Sequence, residues 1–562
     1  MIVLSLTNNN EASASICDSQ KKIIFAASEE RFNRIKNFSG MPNNSINFLL
    51  RKLNISLKDV DKIVYCTHES IYPNKKMFFQ INNEMRQLNS YDKEVFKKRL
   101  KTEIEFNRKH INIFKKWIKL KNINPTKIFY MDHHEAHARS AIICQKKKKG
   151  HILTADGKGG FTSSAIWKFI GNQLTCISRN STFNSLGYLY GNITIGLGYK
   201  AERHEGKITG LSSYGKIINN MCINNIFFVK KNKIVARNIK KIFIPFFLRG
   251  RNNWDISLFK KELNKFADKD IAATVQNILE TIFLKYIKIN IPKTSNLLLG
   301  GGIFANVKLN RKIKEINSNR YIFVTPPMSD CGLSLGGIHK FIKNKNIIKN
   351  MYLGPEFSNK EIIKELKKKK IKFKIFEEEN EINKIIYRKL KKKKLVGVFN
   401  GKMEFGPRAL CNRSIIFSAK YRGINNIVNK RLNRSEFMPF APVCLDKFSF
   451  QNFKNFKKWD DLAKYMTVTY NCTKKFVTNY PSACHIDKTA RPQILYKNDN
   501  LWFYQFLDGF KKATGETCLM NTSFNNHEEP IVCKPKDAID SLKNNNVDYI
   551  IFNKNILAYK IK

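Results

Sequence analysis

Leu297-Leu-Leu-Gly-Gly-Gly-Ile-Phe-Ala-Asn306 runs three leucines straight into three glycines and then into the start of a helical stretch. A strand that ends in glycines lets backbone N–H groups approach a phosphate at the start of the following helix. The same pattern extends outward from this segment. Ile271 to Ile287 reads as an amphipathic helix before it and Tyr321 to Val324 as a strand after it, and Ile63 to Tyr65 and Ile152 to Thr154 are further short apolar runs. Strands alternating with helices predict α/β layers. At the amino terminus, Ile2 to Leu6, a polar loop Thr7 to Ser15, and Lys22 to Ala27 read as strand, turn, strand. The small polar loop of such a hairpin can aim N–H groups at a phosphate.

The remaining organisation follows from length and composition. The chain has 562 residues, 43% of them apolar, so at about 150 residues per domain it predicts three to four compact units with ample cores. An aromatic content of 12% excludes collagen-like and wholly disordered classes, and no run approaches the ~20 apolar residues of a membrane span. Met1 to Leu6 is apolar, too short for a signal-peptide core and without a basic lead, which predicts a cytoplasmic location. Around Phe341 to Gly354 the pattern lapses into Lys- and Asn-rich sequence ending in Tyr352-Leu-Gly-Pro355, where a domain boundary is expected. Beyond it come a helical segment near Asn359 to Lys370, a strand Leu395 to Phe399 and a closing strand Tyr549 to Phe552.

The formal charge is +56, from 101 Lys and Arg against 45 Asp and Glu, and it suggests a polyanion partner. Against a nucleic-acid surface, the runs Lys146 to Lys149, Lys367 to Lys370 and Lys391 to Lys394 carry no interleaved aromatics for base stacking. Compositional drift toward Lys, Asn and Ile accounts for the charge as well, so nucleic acid is disfavoured as a partner. Twelve cysteines from Cys17 to Cys533 contain no CxxC pair, which argues for reduced thiols and against a zinc cage.

Three histidines fall within Asp132-His-His-Glu-Ala-His-Ala138. On a helix His133 and His137 are one turn apart and share a face, so both imidazoles can reach one metal ion; a helix-surface histidine cluster is the alternative. Asp156 in Leu153-Thr-Ala-Asp-Gly-Lys-Gly-Gly160 and Asp330 in Thr325-Pro-Pro-Met-Ser-Asp-Cys-Gly332 each follow a strand and precede glycines. Strand ends are where α/β ligand sites form. Two histidines and two carboxylates make a mixed N/O set suited to iron, manganese or zinc. Lys207, in His204-Glu-Gly-Lys-Ile-Thr-Gly210, is a candidate point charge for a phosphate.

In the second part, Gly401-Lys-Met-Glu-Phe-Gly-Pro-Arg-Ala-Leu-Cys-Asn-Arg-Ser414 sets Arg408 and Arg413 five residues apart. Arg434 in Leu432 to Pro442, Arg491 in His485 to Gln493, and Asn521 and Ser523 in Met520-Asn-Thr-Ser-Phe-Asn525 follow. Guanidinium forks suit phosphate oxygens, so these stretches read as a nucleotide triphosphate pocket without a Walker loop; buried arginines satisfied by backbone carbonyls are the alternative.

HHEAHARS, DGKGG, SLGYLYGNIT, HEGKITGLSSYG, GGGIFANVKLN, SDCGLSLGG, MEFGPRALCNRS, EFMPFAP, DKTARPQ and NTSFNNHEEPIV occur in the order that resembles the NodU/CmcH-type O-carbamoyltransferases. The resemblance covers nearly the whole chain. It implies an α/β ASKHA (actin and sugar-kinase-like) two-lobed domain over 1–350 and a YrdC-like domain over 355–562. It further implies that the second domain makes carbamoyl-adenylate from carbamoyl phosphate and ATP, with Mg2+, and that the first passes the carbamoyl group to a hydroxyl of a small molecule, sugar or glycan. By the same resemblance His133, His137, Asp156 and Asp330 are ligands of a divalent metal, Fe2+. Ser13, Lys36, Lys207, Gly302 and Asn306 hold the adenylate, and Arg408, Arg413, Arg434, Arg491, Asn521 and Ser523 hold ATP and carbamoyl phosphate, with Lys36, Lys207 and Arg408 in catalytic roles. A homodimer is compatible with this assignment.

Several positions depart from the family pattern. Asn10 stands where the family has a histidine, and Asn cannot act as a base. Leu432 and Met438 replace basic residues, while Cys411, Lys488 and Glu528 replace glycines and are strained if those positions need φ > 0. Two other readings are a tRNA threonylcarbamoyl-transfer enzyme, suited to the charge, and a non-catalytic binding protein on a diverged ASKHA scaffold.

Overall fold

A computed structural model describes residues 1–237, 261–316, 320–342, 348–434, 437–456 and 461–560. Residues 343–347 of the expected boundary, and Ser435 and Glu436 of the stretch bearing Arg434, lie outside the described residues. The chain forms two compact units: Met1–Ile23, Ser39–Pro42 and Leu53–Ile347 make the first, and Ile24–Phe38, Asn43–Lys52 and Ile348–Lys562 the second.

In the first unit β1 (Ile2–Thr7) pairs antiparallel with β2 (Ser13–Asp18), from Ile2 opposite Asp18 to Thr7 opposite Ser13. The chain continues through β3 (Ile23–Ser28) to β4 (Lys62–Tyr65), parallel to β1, and β5 (Ile128–Tyr130), parallel to β4. The order of four strands is thus β2-β1-β4-β5. This corrects the reading of Thr7 to Ser15 as one loop before the second strand: an extra strand, Ser13–Asp18, lies within and beyond it. All six of its residues are buried, and the Ser13 and Ser15 hydroxyls lie 2.9 and 2.7 Å from that of Ser334. Small polar side chains paired inside a core leave no apolar alternation to read.

The second sheet repeats the arrangement. β6 (Lys149–Gly159), β7 (Thr162–Ile170) and β8 (Gln173–Ser181) form an antiparallel meander. After a hairpin of β9 (Phe227–Lys230) and β10 (Lys233–Ala236), β11 (Leu297–Gly300) adds parallel to β6 and β12 (Ile322–Val324) parallel to β11. In both sheets a first strand has an antiparallel neighbour on one side and two successive parallel strands on the other, which is the duplicated α/β plan of the ASKHA class. The helix expected over Ile271 to Ile287 spans Asp268–Asn290.

The second unit is built on one eight-stranded sheet. Its strands are β13 (Lys372–Ile375), β14 (Val396–Phe399), β15 (Arg413–Ser418), β16 (Ala441–Leu445), β19 (Gln493–Leu495), β20 (Cys518–Ser523), β21 (Tyr549–Phe552) and β22 (Ile556–Tyr559), with the short pair β17 (Tyr470–Asn471) and β18 (Thr489–Ala490) beside them. The order is β13-β22-β21-β14-β15-β20-β16-β19. Helices Glu379–Lys391 and Leu501–Thr514 bury Ile382, Ile386, Leu390, Phe503, Phe506 and Phe510 against Val396, Val398, Ile416 and Leu519. Each such side chain contributes roughly 1.5–3 kcal/mol of apolar burial. The chain does not close on Tyr549–Phe552: β22 returns antiparallel to it, with Tyr549 opposite Tyr559.

Candidate functional site

Helix His133–Ile143 is started by Asp132, whose Oδ1 accepts from the Glu135 N–H at 2.8 Å, and Arg179 braces the same carboxylate at 2.7 and 3.1 Å. One helical turn then brings His133 and His137 together, Nε2 to Nε2 3.2 Å, both 1% exposed. His137 Nε2 lies 3.2 Å from Asp156 Oδ2 on β6, and His133 Nε2 lies 3.4 Å from Asp330 Oδ1, in the loop beyond β12. The four donor atoms all fall within 4.8 Å of one another. The sequence-derived set of His133, His137, Asp156 and Asp330 is therefore one cluster.

The surroundings orient each member. His133 Nδ1 is 3.3 Å from the Thr67 carbonyl, so that nitrogen donates its proton there and Nε2 faces the cluster. Gly157 and Gly302 N–H groups donate to Asp156 at 2.8 and 3.1 Å, and Asn9 Nδ2 donates to Asp330 at 2.9 Å. Gly159 has to be glycine, since a Cβ there would come within 2.3 Å of His133 Cδ2. Burial works against charge on His133, yet Asp330 and Asp156 lift its pKa to about 10. Burial likewise opposes ionisation of Asp156 and Asp330, and the two histidines hold both carboxyls below the usual range. Two buried anions facing two imidazoles are a demand for positive charge, and the donor set fits a divalent cation of borderline softness.

The other expected residues of the first unit form a second layer. The Ser13 hydroxyl donates to the Cys331 carbonyl at 2.8 Å, bracing the residue after Asp330. Gly302 reaches Asp156 directly. Asn306 caps helix Val307–Glu315, exchanges hydrogen bonds with Gln276 at 2.8 and 3.1 Å, and donates to Thr209 Oγ1 at 3.3 Å. Lys207 is buried on helix Glu205–Leu211, its ammonium 5.6 Å from the Tyr199 ring centroid. The Asn8 N–H, in the amino-terminal loop expected to face a phosphate, is spent on Thr67 Oγ1 at 2.9 Å. Lys36 lies in the second unit, 3.6 Å from Glu30. Asn9, Thr67 and Gln276 were not singled out in the sequence, because each acts through a long-range contact that no local motif encodes.

In the second unit, Arg434 donates to Thr522 Oγ1 at 2.7 Å, to the Ser523 carbonyl at 2.9 Å and to the Asn525 carbonyl at 2.6 Å. Asn521 donates to Gln493 Oε1 at 2.7 Å and to the Ala409 carbonyl at 3.4 Å. These bonds gather Arg434, Asn521, Ser523 and the loops of Arg408 and Arg491 around β15, β20 and β19. Arg413 departs from the expectation of a phosphate ligand. It is 0% exposed, and its guanidinium donates to the carbonyls of Asn400, Asn412, Pro355 and Gly401 at 2.8 to 3.2 Å and lies 3.7 Å from the Phe399 ring centroid. With both terminal nitrogens, Nη1 and Nη2, committed to backbone carbonyls, Arg413 organises the loop. Glu404 supports it from the other side, accepting from the N–H groups of Leu410, Asn412 and Arg413 at 2.6 to 3.1 Å.

With this geometry in place, comparison with known proteins is decisive. The profile described as Carbamoyltransferase N-terminus matches residues 5–338, and that described as Carbamoyltransferase C-terminus matches residues 387–559. The chain belongs to the carbamoyltransferase family. Uncharacterized protein MJ1051 of Methanocaldococcus jannaschii is 31% identical over the full length of both chains. Nodulation protein NolNO of Sinorhizobium fredii is 26% identical over 94% of this carbamoyltransferase and 76% of its own length. The 3'-hydroxymethylcephem-O-carbamoyltransferase of Amycolatopsis lactamdurans is 24% identical over 48% of this chain and 49% of its own. Among the described residues no helix is long and apolar enough to cross a membrane.

Proposed function

We propose that this carbamoyltransferase is ATP-dependent: residues 355–562, a YrdC-like domain, form carbamoyl-adenylate from carbamoyl phosphate, water and ATP with release of phosphate and pyrophosphate, and residues 1–350 transfer the carbamoyl group to an acceptor hydroxyl in the cytoplasm, the acceptor giving up its proton and AMP leaving. The acceptor class is a sugar, glycan or secondary metabolite. The observation that carries the reading is the convergence of His133, His137, Asp156 and Asp330 within 4.8 Å inside a family member. These four residues would hold a divalent cation, which we assign as Fe2+, and when bound it supplies Lewis-acid polarisation of the carbamoyl oxygen. The chain's own groups prepare that site: the Thr67 carbonyl accepts from His133 Nδ1, Gly157 and Gly302 orient Asp156, and Asn9 orients Asp330. Gly302, Asn306 and Lys207 are the residues of the first unit that we assign to the adenylate, and Lys36 carries the same assignment from its resemblance to the family. Arg408, Arg434, Arg491, Asn521 and Ser523 are assigned to ATP and carbamoyl phosphate, where guanidinium forks match phosphate oxygens.

Purified protein with ATP and carbamoyl phosphate should release pyrophosphate, and Arg408→Ala should not. Release that does not depend on carbamoyl phosphate, or that survives in the variant, would overturn the assignment. Metal analysis of His137→Ala should show loss of bound cation with pyrophosphate release retained.

A further inference from the structure

The long helix Ser90–Leu120 buries Val95, Phe96, Phe114 and Trp117 and shows solvent a different stripe. Lys97, Leu100, Lys101, Ile104, Glu105 and Arg108 recur at i, i+3, i+4, i+7, i+8 and i+11, the spacing of one helix face. Together with Met85, from the last turn of helix Lys75–Arg86, they line an open groove of about 320 Å³. Met85, Leu100 and Ile104 give it an apolar surface, and the methylene stems of the lysines extend that surface while the charged ends of Lys97, Lys101 and Arg108 stay in water. Glu105 is the one acid among these seven residues.

Exposed aromatic side chains gather beside the groove. Among the described residues six are exposed, and four of them, Tyr72, Phe78, Phe79 and Tyr91, fall within this one stretch of twenty residues. Phe78 and Phe79 are 53% and 68% exposed, one residue beyond Lys75 and Lys76. Phe78 stands seven residues before Met85, two turns along the same helix face, so the apolar surface continues from the groove to the phenylalanines. The Tyr72 hydroxyl accepts from Arg108 Nη2 at 3.1 Å, which ties the loop before that helix to the groove. From Tyr72 to Leu120 eleven exposed Lys and Arg stand against two exposed acids, Glu94 and Glu105, and Glu94 is paired with Lys98 at 2.8 Å. Lysines are spread over the whole chain, so charge alone would not single out this face. Its coincidence with neighbouring exposed aromatics and an aliphatic groove does, since contiguous exposed apolar surface marks an interaction site.

We propose that this face docks on an anionic lipid bilayer: Phe78 and Phe79 enter the headgroup boundary, Met85, Leu100 and Ile104 rest on acyl chains, and the surrounding lysines and arginines meet lipid phosphates. An apolar surface framed by basic side chains is the complement of such a membrane and lies on it without crossing it. The aliphatic groove favours lipid over nucleic acid, because Met, Leu and Ile side chains match an acyl chain and offer a base edge no hydrogen bond. The proposal is independent of the reaction assigned above.

The test is sedimentation of the full chain with vesicles of phosphatidylcholine alone and of phosphatidylcholine with phosphatidylglycerol. The protein should bind the anionic vesicles and not the neutral ones, and raising salt from about 0.05 to about 0.5 M should weaken binding at least about tenfold as the Debye length shrinks. A chain of charge +56 can meet any anionic surface, so variants decide which face does so. Phe78→Ser with Phe79→Ser should lower affinity for anionic vesicles about tenfold through lost apolar burial. Lys97→Glu with Lys101→Glu should lower it at least about tenfold, each lysine near the surface being worth about fivefold. Lys367→Glu with Lys368→Glu, exposed on helix Asn359–Lys368 of the second unit, should leave it unchanged. All these side chains are exposed, so each variant should keep the wild-type circular dichroism spectrum and melting point. An equal loss in the Lys367 and Lys368 variant, or undiminished binding by the phenylalanine variant, would overturn the proposal, as would a wild type that ignores anionic vesicles. So would a phenylalanine variant that loses affinity for polyuridylate and keeps it for vesicles, which would assign the face to nucleic acid.

Discussion

Lys488→Gly should make the protein more stable. Lys488 sits at φ 57°, Cys411 at φ 80° and Glu528 at φ 62°, so all three residues that replace a family glycine occupy the left-handed region. For a side chain with a Cβ that conformation costs roughly 1–2 kcal/mol. Lys488 is held there by a turn whose N–H donates to the His485 carbonyl at 2.9 Å while the His485 N–H donates to the Thr489 carbonyl at 2.8 Å. Its side chain is exposed, so removal sacrifices little packing. Against the relief stands the greater freedom of glycine in the unfolded chain, about 0.4–1 kcal/mol. The difference leaves a net gain of about 0.5–1 kcal/mol, equivalent to about 2 °C in Tm for a unit of this size. Calorimetry or urea denaturation followed by far-UV circular dichroism reads it. Cys411→Gly is the control of opposite sign: Cys411 is 0% exposed, with its Sγ 3.3 Å from Gln493 Oε1 and 3.5 Å from Asn521 Nδ2, so the lost contacts should outweigh the relieved backbone. An unchanged or lowered Tm in Lys488→Gly would refute the strain argument.

Gly159→Ala should abolish retention of a cation by purified protein, measured by elemental analysis, because the added Cβ would lie 2.3 Å from His133 Cδ2 and displace the ring. Arg413→Lys should destabilise the protein by about 3 kcal/mol in denaturant titration, since one ammonium cannot reproduce a planar fork serving four carbonyls. Acid should weaken the fold in a defined window. Burial, with Lys158 and Lys109 nearby, pushes the His110 pKa down from 6.5 to about 4. The unfolded imidazole therefore binds its proton at higher pH than the folded one, and stability falls as pH drops from 6.5 toward 4, by about 3 kcal/mol from this group. His110→Gln should flatten that part of a stability-against-pH curve; an unchanged slope would show that the imidazole is not the group responsible.

Local patterns determined much of this protein before any contact was known. Leu297-Leu-Leu followed by three glycines, and the i, i+4 spacing of His133 and His137, depend on neighbours within a turn or two, and they became β11, the glycine turn whose Gly302 N–H donates to Asp156, and half of the four-residue centre. The ordered motifs carried the family. Tertiary structure alone decided the rest, because the deciding contacts join residues distant in the chain. Ser13–Asp18 is a strand because it pairs along its whole length with β1, and Ser334 answers its buried Ser13 and Ser15 hydroxyls. Asp156 and Asp330 become one site with the histidines only when β6 and the loop after β12 meet helix His133–Ile143. Arg413 and Arg408 look alike five residues apart in one loop, and only the positions of the Pro355, Asn400, Gly401 and Asn412 carbonyls turn the first into a structural anchor. Propensity and spacing act over a few residues, whereas the partner that satisfies a buried charge or amide is chosen by the packing of the whole unit.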